Sequence, residues 1–223
     1  MEFKEYPDRE MMMIDVAQEI AGELETCLFN HDHASLAVPG GTTPAPIFDT
    51  LSGAKLDWAR VHVLLTDERW VPEDHERSNT ALIRKHLLTD RASDAVYVPL
   101  YAPGKSPEDA LPELAESLAP ELPISILVLG MGSDMHTASL FPDAPELDAA
   151  LAGRDGPLAV VRPEGQPEAR ITLTGPVLRS AMSCHVVITG AEKRAALERA
   201  RKLSPKEAPI ATVLSDATVH WAE

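Results

Sequence analysis

Cysteine, aromatic residues and positive charge are all scarce in this chain. Only two cysteines, Cys27 and Cys184, occur among its 223 residues. They form neither a C-x-x-C pair nor a zinc-type spacing, and read as buried thiols in a reducing compartment, Cys27 in a helix and Cys184 at the start of a strand. Aromatic residues make up 4% of the sequence, so the core must be mainly aliphatic. Lysine and arginine number 20 against 35 acidic residues, a net charge of −15. That balance argues against nucleic acid, which wants basic stripes, and against anionic membrane surfaces. No apolar run approaches the ~18 residues of a membrane span. The first ten residues, MEFKEYPDRE, are acidic where a signal peptide needs a basic region and an apolar run. A cytoplasmic, soluble protein is the expectation. Internal repeats and low-complexity stretches are also missing.

What is present is 44% hydrophobic content, enough for one sizeable core and a single domain spanning 1–223. Apolar runs and helical periodicities alternate. Residues 3–6 suit a short edge strand. Pro7 and Asp8 open a long amphipathic helix to about Phe29, with Met12, Val16, Ile20 and Leu24 at spacing four. The methionine run 11–13 has no His or Cys at matching spacing and reads as core filling. Strands are expected at 35–38, 61–65, 96–100, 124–129, 158–162, 170–173, 185–189 and 218–222. Helices are expected after Thr42 or Thr43 as cap, after Ser78, over 107–118, briefly at 174–181 and after Gly190. Residues 142–156 read as irregular. This alternation implies a doubly wound, mainly parallel α/β sheet with helices on both faces. Ligands then bind at the carboxyl ends of the strands.

Several chemistry-bearing residues fall at those ends. Residues 130–142, GMGSDMHTASLFP, follow the strand ending at Leu129. Two glycines break the strand and HTASLF reads as a helix start, with Ser133 or Asp134 as N-cap. A histidine in a first helical turn feels the positive end of the macrodipole, which favours the neutral ring and suits a general base. The Asp134 carboxylate beside His136 favours the charged form, and the sequence does not decide between them. The same residues read equally as a helix cap and a loop histidine. Gly40 and Gly41, before Thr42 and Thr43, make a tight turn whose N–H groups can nest an anion. Asp67, Glu68 and Arg69 lie just past another strand end. Lys193 falls in the first turn of a helix, where the macrodipole opposes it by roughly 0.3–1 kcal/mol. Either Glu192 or a bound phosphate would compensate.

Together the stretches PGGTTP, TDERWVP with the later Ser78 and Asn79, GMGSDMHTASLFP, and RITLT with VITGAEKRAAL resemble the 6-phosphogluconolactonases, within the wider glucosamine-6-phosphate isomerase/6-phosphogluconolactonase fold. They occur in the family's order and span nearly the whole chain from about residue 34. The resemblance implies a Rossmann-like fold and hydrolysis of 6-phospho-D-glucono-1,5-lactone, a small phosphosugar, with no metal and no organic cofactor. It implies that His136 is the base activating water with Asp134 beside it, that Gly40, Gly41 and Thr42 form the phosphate-side loop, and that Arg69 and Arg170 are cations near the substrate. Lys193 then faces the phosphate, and Asp67 is an acidic residue at the active-site strand end. Two positions depart from the pattern: Met135 stands where glycine is usual and Pro39 where serine is. The rival on the same fold is an amino-sugar phosphate isomerase/deaminase. That branch runs I-A-F-N-E-P after the histidine, whereas TASLFP carries no acid until Asp143. A non-enzymatic sugar-phosphate sensor would carry a DNA-binding module ahead of the domain, which this acidic chain lacks.

Overall fold

The computed structural model describes residues 1–223. Strand β1 (Glu2–Glu5) leads into helix α1 (Arg9–Asn30). Asp8 caps α1 by accepting from the Met11 N–H at 2.8 Å, and the spacing-four stripe Met12, Val16, Ile20, Leu24 is fully buried. Next come β2 (Ala34–Val38), α2 (Ala45–Ser52), β3 (Val61–Leu65), β4 (Asp67–Arg69) and α3 (Asn79–His86). They are followed by β5 (Val96–Val98), α4 (Pro107–Leu118), β6 (Ile126–Leu129), α5 (Leu147–Ala152), β7 (Leu158–Val161) and β8 (Arg170–Leu173). Helix α6 (Gly175–Arg179), β9 (Ser183–Thr189), α7 (Ala191–Ala200) and β10 (Thr218–Ala222) complete the chain.

Seven strands form one sheet in the order β1-β10-β9-β6-β2-β3-β5, and every pairing in it is parallel. Strands β2 and β6 are wholly buried, as runs covered on both faces must be. The aliphatic core is continuous across the sheet, with Phe48, Trp58 and Trp221 its buried aromatics. From β2 the chain moves outward to β3 and β5, then returns to place β6 on the other side of β2. That reversal opens a crevice beyond the carboxyl ends of β2 and β6, where doubly wound sheets bind ligands.

Three local expectations give way. No helix starts at His136: residues 130–142 form an irregular loop, because Met135 (φ 67°) and Ala138 (φ 48°) are left-handed and break any helical run. Neither Thr42 nor Thr43 caps α2; Pro44 stands at that position and no side chain bonds the first turn. The stretch 142–156 contains the short helix α5, closed by Gly153 in the left-handed conformation. Asp67–Arg69, just past the end of β3, forms a strand that the sequence did not announce, pairing antiparallel with β8, which pairs antiparallel with β7, in a second three-stranded sheet. Cys184 is buried as expected, and burial pushes its thiol up to about 12; Cys27 is only half-buried.

Candidate active site

The loop after β6 is folded around a histidine–carboxylate pair. The Met135 N–H donates to the Gly132 carbonyl (2.9 Å), the Gly132 N–H to the His136 carbonyl (3.0 Å), and the Thr137 hydroxyl to the Gly130 carbonyl (2.9 Å). These bonds bring the Asp134 carboxylate to the His136 backbone N–H (3.2 Å) and to its ring Nδ1 (2.5 Å). The hydrogen bond from His136 holds the Asp134 carboxyl below its ordinary value. A carboxylate only accepts, so Nδ1 carries a proton, and in the neutral ring the lone pair is on Nε2. Phe141 stacks on the imidazole, ring centroids 4.3 Å apart. Gly132 makes room for the pair: a Cβ there would lie 2.3 Å from both Asp134 Oδ1 and His136 Nδ1. Met135 holds a positive φ without glycine's freedom, a strain of order 1–2 kcal/mol, and its carbonyl accepts from Ile210 at 3.1 Å.

Across the crevice, the loop after β2 turns at Gly41 (φ 86°). Gly40 is pressed against Asn79, so close that a Cβ would fall 2.0 Å from the Asn79 Oδ1. Asn79 in turn donates to the Asp67 carbonyl at 2.8 Å.

The β4–β8 pair supplies the charged wall. Its register sets Arg69 opposite Arg170 and Asp67 opposite Thr172, and period-two alternation puts all four side chains on one face. Two like charges directly opposite destabilise a strand pair. Burial, helped by the Arg69 charge against the opposing pull of Asp67, lowers the Arg170 guanidinium from its ordinary value. Asp67 sits 3.8 Å from Arg170 and accepts from the buried Ser139 hydroxyl at 2.6 Å. The Nε atoms of both arginines are buried without a partner. Glu68 points the other way and is fully buried. Its two oxygens accept from the N–H groups of Arg69, Asn79 and Thr80 and the hydroxyls of Ser78 and Thr80, at 2.7–2.9 Å. It thereby fixes the start of α3 and the position of Asn79.

Lys193 lies in the first turn of α7. Its neighbour Arg194 pairs with Glu5 at 3.1 Å, but no carboxylate, Glu192 included, comes within 4.0 Å of the Lys193 ammonium.

A cleft of about 220 Å³ collects these groups: Gly40, Gly41, Asp67, Arg69, His136, Arg170 and Lys193 all line it. Two expected residues do not. Asp134 stands behind His136, and Thr42 faces a neighbouring depression beside Arg9 and Met13, so that Thr43 and Asn79 complete the cleft wall instead. Sequence reasoning assigned no site role to Gly132, Glu68, Ser139 or Phe141. Strand alternation could have separated Glu68 from Asp67 and Arg69; nothing local marks the others. Groups of three His or acidic side chains close enough to share one ion lie elsewhere, at Glu19–His185–His220 and His33–His62–Glu121.

The family model for glucosamine-6-phosphate isomerases/6-phosphogluconolactonase matches residues 7–221. The chain belongs to this family. Among relatives, 6-phosphogluconolactonase of Pseudomonas aeruginosa is 42% identical over 92% of this chain and 88% of its own, and that of Rhizobium meliloti 37% identical over 93% and 92%. Among solved structures, a 6-phosphogluconolactonase from Shewanella baltica matches with TM-score 0.96 and 33% identity over 100% of this chain and 97% of its own. A monomeric glucosamine-6-phosphate deaminase superposes with TM-score 0.83 at 15% identity over 100% and 98%, a likeness of fold alone. The family's two branches thus share the doubly wound sheet, and what separates them must lie in the loops at its carboxyl edge.

Proposed function

We propose that this chain hydrolyses 6-phospho-D-glucono-1,5-lactone to 6-phospho-D-gluconate, the lactone-opening step of the oxidative pentose phosphate pathway, in the cytoplasm. The observation that carries this reading is the meeting of the His136–Asp134 pair with three cations, Arg69, Arg170 and Lys193, around one cleft, in a chain whose curated relatives are 6-phosphogluconolactonases. A δ-lactone is an activated ester. It needs a placed water, a proton acceptor and donors for the developing oxyanion, so the step can be written through side chains alone. His136 Nε2 takes a proton from water as the water oxygen bonds to the carbonyl carbon. The oxyanion is stabilised by a guanidinium, Arg69 and Arg170 both lining the cleft. Collapse breaks the bond to the ring oxygen, which leaves with the proton held on His136. Asp134 holds the Nδ1–H throughout, so that Nε2 is the atom that takes the proton and returns it. Lys193, free of any carboxylate, takes the phosphate with the N–H groups of the Gly40–Gly41 turn, and this remote grip positions the ring.

The isomerase/deaminase branch carries an acid at the fifth position after the histidine; Phe141, stacked on the His136 ring, stands there instead. The deciding experiment generates the lactone in situ and follows its decay with and without the protein, while glucosamine 6-phosphate is assayed for ammonia release. Decay at the spontaneous rate overturns the proposal, and ammonia release moves the chain to the other branch.

A further inference from the structure

At the opposite edge of the main sheet, where β2, β3 and β6 begin, a second cluster has no part in the lactone chemistry. His33 immediately precedes β2, His62 is the second residue of β3, and Glu121 closes a short 3₁₀ turn ahead of β6. Glu121 is 5% exposed. One of its carboxylate oxygens meets His62 Nδ1 at 2.8 Å. The other, Oε2, is buried without a hydrogen bond; His33 Nε2 lies 3.4 Å from it but is not aligned to donate. A buried carboxylate oxygen left unmatched is costly, and a cation is its natural complement. The three ligand atoms lie within 4.8 Å of one another. Their backbones are tied together: the Ser35 hydroxyl donates to the Glu121 carbonyl at 2.9 Å and the Ser125 N–H to the Ser35 hydroxyl at 2.9 Å.

The other three-residue group makes a useful contrast. In the Glu19–His185–His220 group all four ring nitrogens already have partners: His185 bonds Glu23 and His220, and His220 bonds His185 and Tyr6. It has no unmatched donor or acceptor for an ion to satisfy.

We propose that Glu121, His62 and His33 bind one divalent transition ion of the Zn²⁺ class. Two imidazoles and one carboxylate suit such borderline ions and discriminate against Mg²⁺ and Ca²⁺, which prefer all-oxygen sites. The two rings stack 4.4 Å apart with planes 19° from parallel, so an ion in the plane of both requires one ring to turn. His33 is the ring that turns: it lies outside its strand, is partly exposed and makes no hydrogen bond of its own. Three protein ligands leave a fourth position for water, and the ion clips the starts of three adjacent strands together.

The test uses tag-free protein, stripped with chelator and carrying His136→Ala, so that the cleft histidine cannot contribute. Titration calorimetry with ZnCl₂ should give one ion per chain and a raised melting temperature, and MgCl₂ should give neither. Glu121→Gln and, separately, the more conservative surface change His33→Ala should weaken zinc binding by at least the ~10–100-fold that even outer-shell changes cost. In an otherwise native chain both variants should keep full lactone hydrolysis. Absence of stoichiometric zinc binding overturns the proposal, as does binding that survives both substitutions. Neither result bears on the hydrolase reading, which rests on the other edge of the sheet.

Discussion

In the proposed hydrolysis, His136 can act as a base at Nε2 only because its Nδ1–H has an acceptor. The Asp134 carboxylate at 2.5 Å takes that hydrogen bond, and His136 lines the cleft. Under the proposed mechanism, His136→Ala should lower kcat by roughly 10²–10⁴-fold, about 2.7–5.5 kcal/mol of barrier, in a protein that still folds; a folded variant with native turnover would discard this base. Gly132→Ala tests the same pair from behind. The added methyl would occupy space now held by Asp134 Oδ1 and His136 Nδ1, so kcat should fall with little change in KM, and intact activity would show that the pair is not held by this contact. Lys193→Ala should act in the opposite sense, raising KM more than it lowers kcat, as loss of a phosphate contact does. At this scale the sequence was legible where chemistry and strand ends coincide: His136, Asp134, Asp67, Arg69 and Lys193 could be placed at one edge of a sheet before any coordinates. It was not legible where the determinant is a close approach between distant segments. Gly132 against Asp134 and His136, Gly40 against Asn79, and the exchange of Thr42 for Thr43 on the cleft wall are all of that kind.

The elements divide along the same line. Helix α1 and the parallel strands follow from periodicity, since a spacing of four or an unbroken apolar run reports burial directly. The loop after β6 defeats periodicity. HTASLF has helical composition, but the left-handed Met135 and Ala138 and the Thr137–Gly130 bond turn it into a cradle for His136. Strand β4 was hidden by its brevity, for three charged residues after a strand look like a solvated turn. Only its pairing with β8, which sets Arg69 against Arg170, reveals a wall. The turn into α7 is a further case in which backbone shape positions a cleft residue, Lys193. Gly190 adopts φ 84° and ψ 157°, a region essentially confined to glycine. Its N–H donates to the Ala222 carbonyl and its carbonyl accepts from the Trp221 indole. Gly190→Ala should therefore destabilise the protein by about 1–3 kcal/mol and, by displacing the first turn that carries Lys193, raise KM as well. Urea unfolding and steady-state kinetics on one preparation check both parts. A loss of stability with unaltered KM would separate this turn from the substrate grip.

On the scale of the whole molecule, a net charge of −15 is compatible with an anionic substrate because three cations, Arg69, Arg170 and Lys193, line one cleft, and screening confines distant carboxylates to short range. The interior has a charge-related vulnerability of its own. Between β1, β10, β9 and α1 runs a buried chain from Tyr6 to His220 (2.8 Å), His185 (3.0 Å) and Glu23 (3.0 Å), with Ser183, Lys4 and Glu19 beside it. Burial, reinforced by His185, pushes His220 down to about 3. An unfolded histidine titrates near ~6.5. Between those values the unfolded chain binds a proton that the folded chain refuses, so stability is complete above about pH 6.5 and declines as pH falls towards 3. By about pH 4.5 the loss from this one residue should reach roughly 2–3 kcal/mol. Glu23 contributes in a lower range: burial raises its carboxyl, the hydrogen bond and charge of His185 together with Ser183 and Lys4 outweigh that, and the net lowering makes its stabilisation fade only as pH drops through the carboxylate range. The two effects therefore separate along the pH axis. Urea midpoints measured from pH 7 to pH 4.5 should fall steadily in the native protein and much less steeply in His220→Gln, whatever that substitution costs at neutral pH. Equal slopes in the two proteins would mean that His220 accepts its proton inside the fold, and the acid sensitivity would then have to reside in the carboxylates.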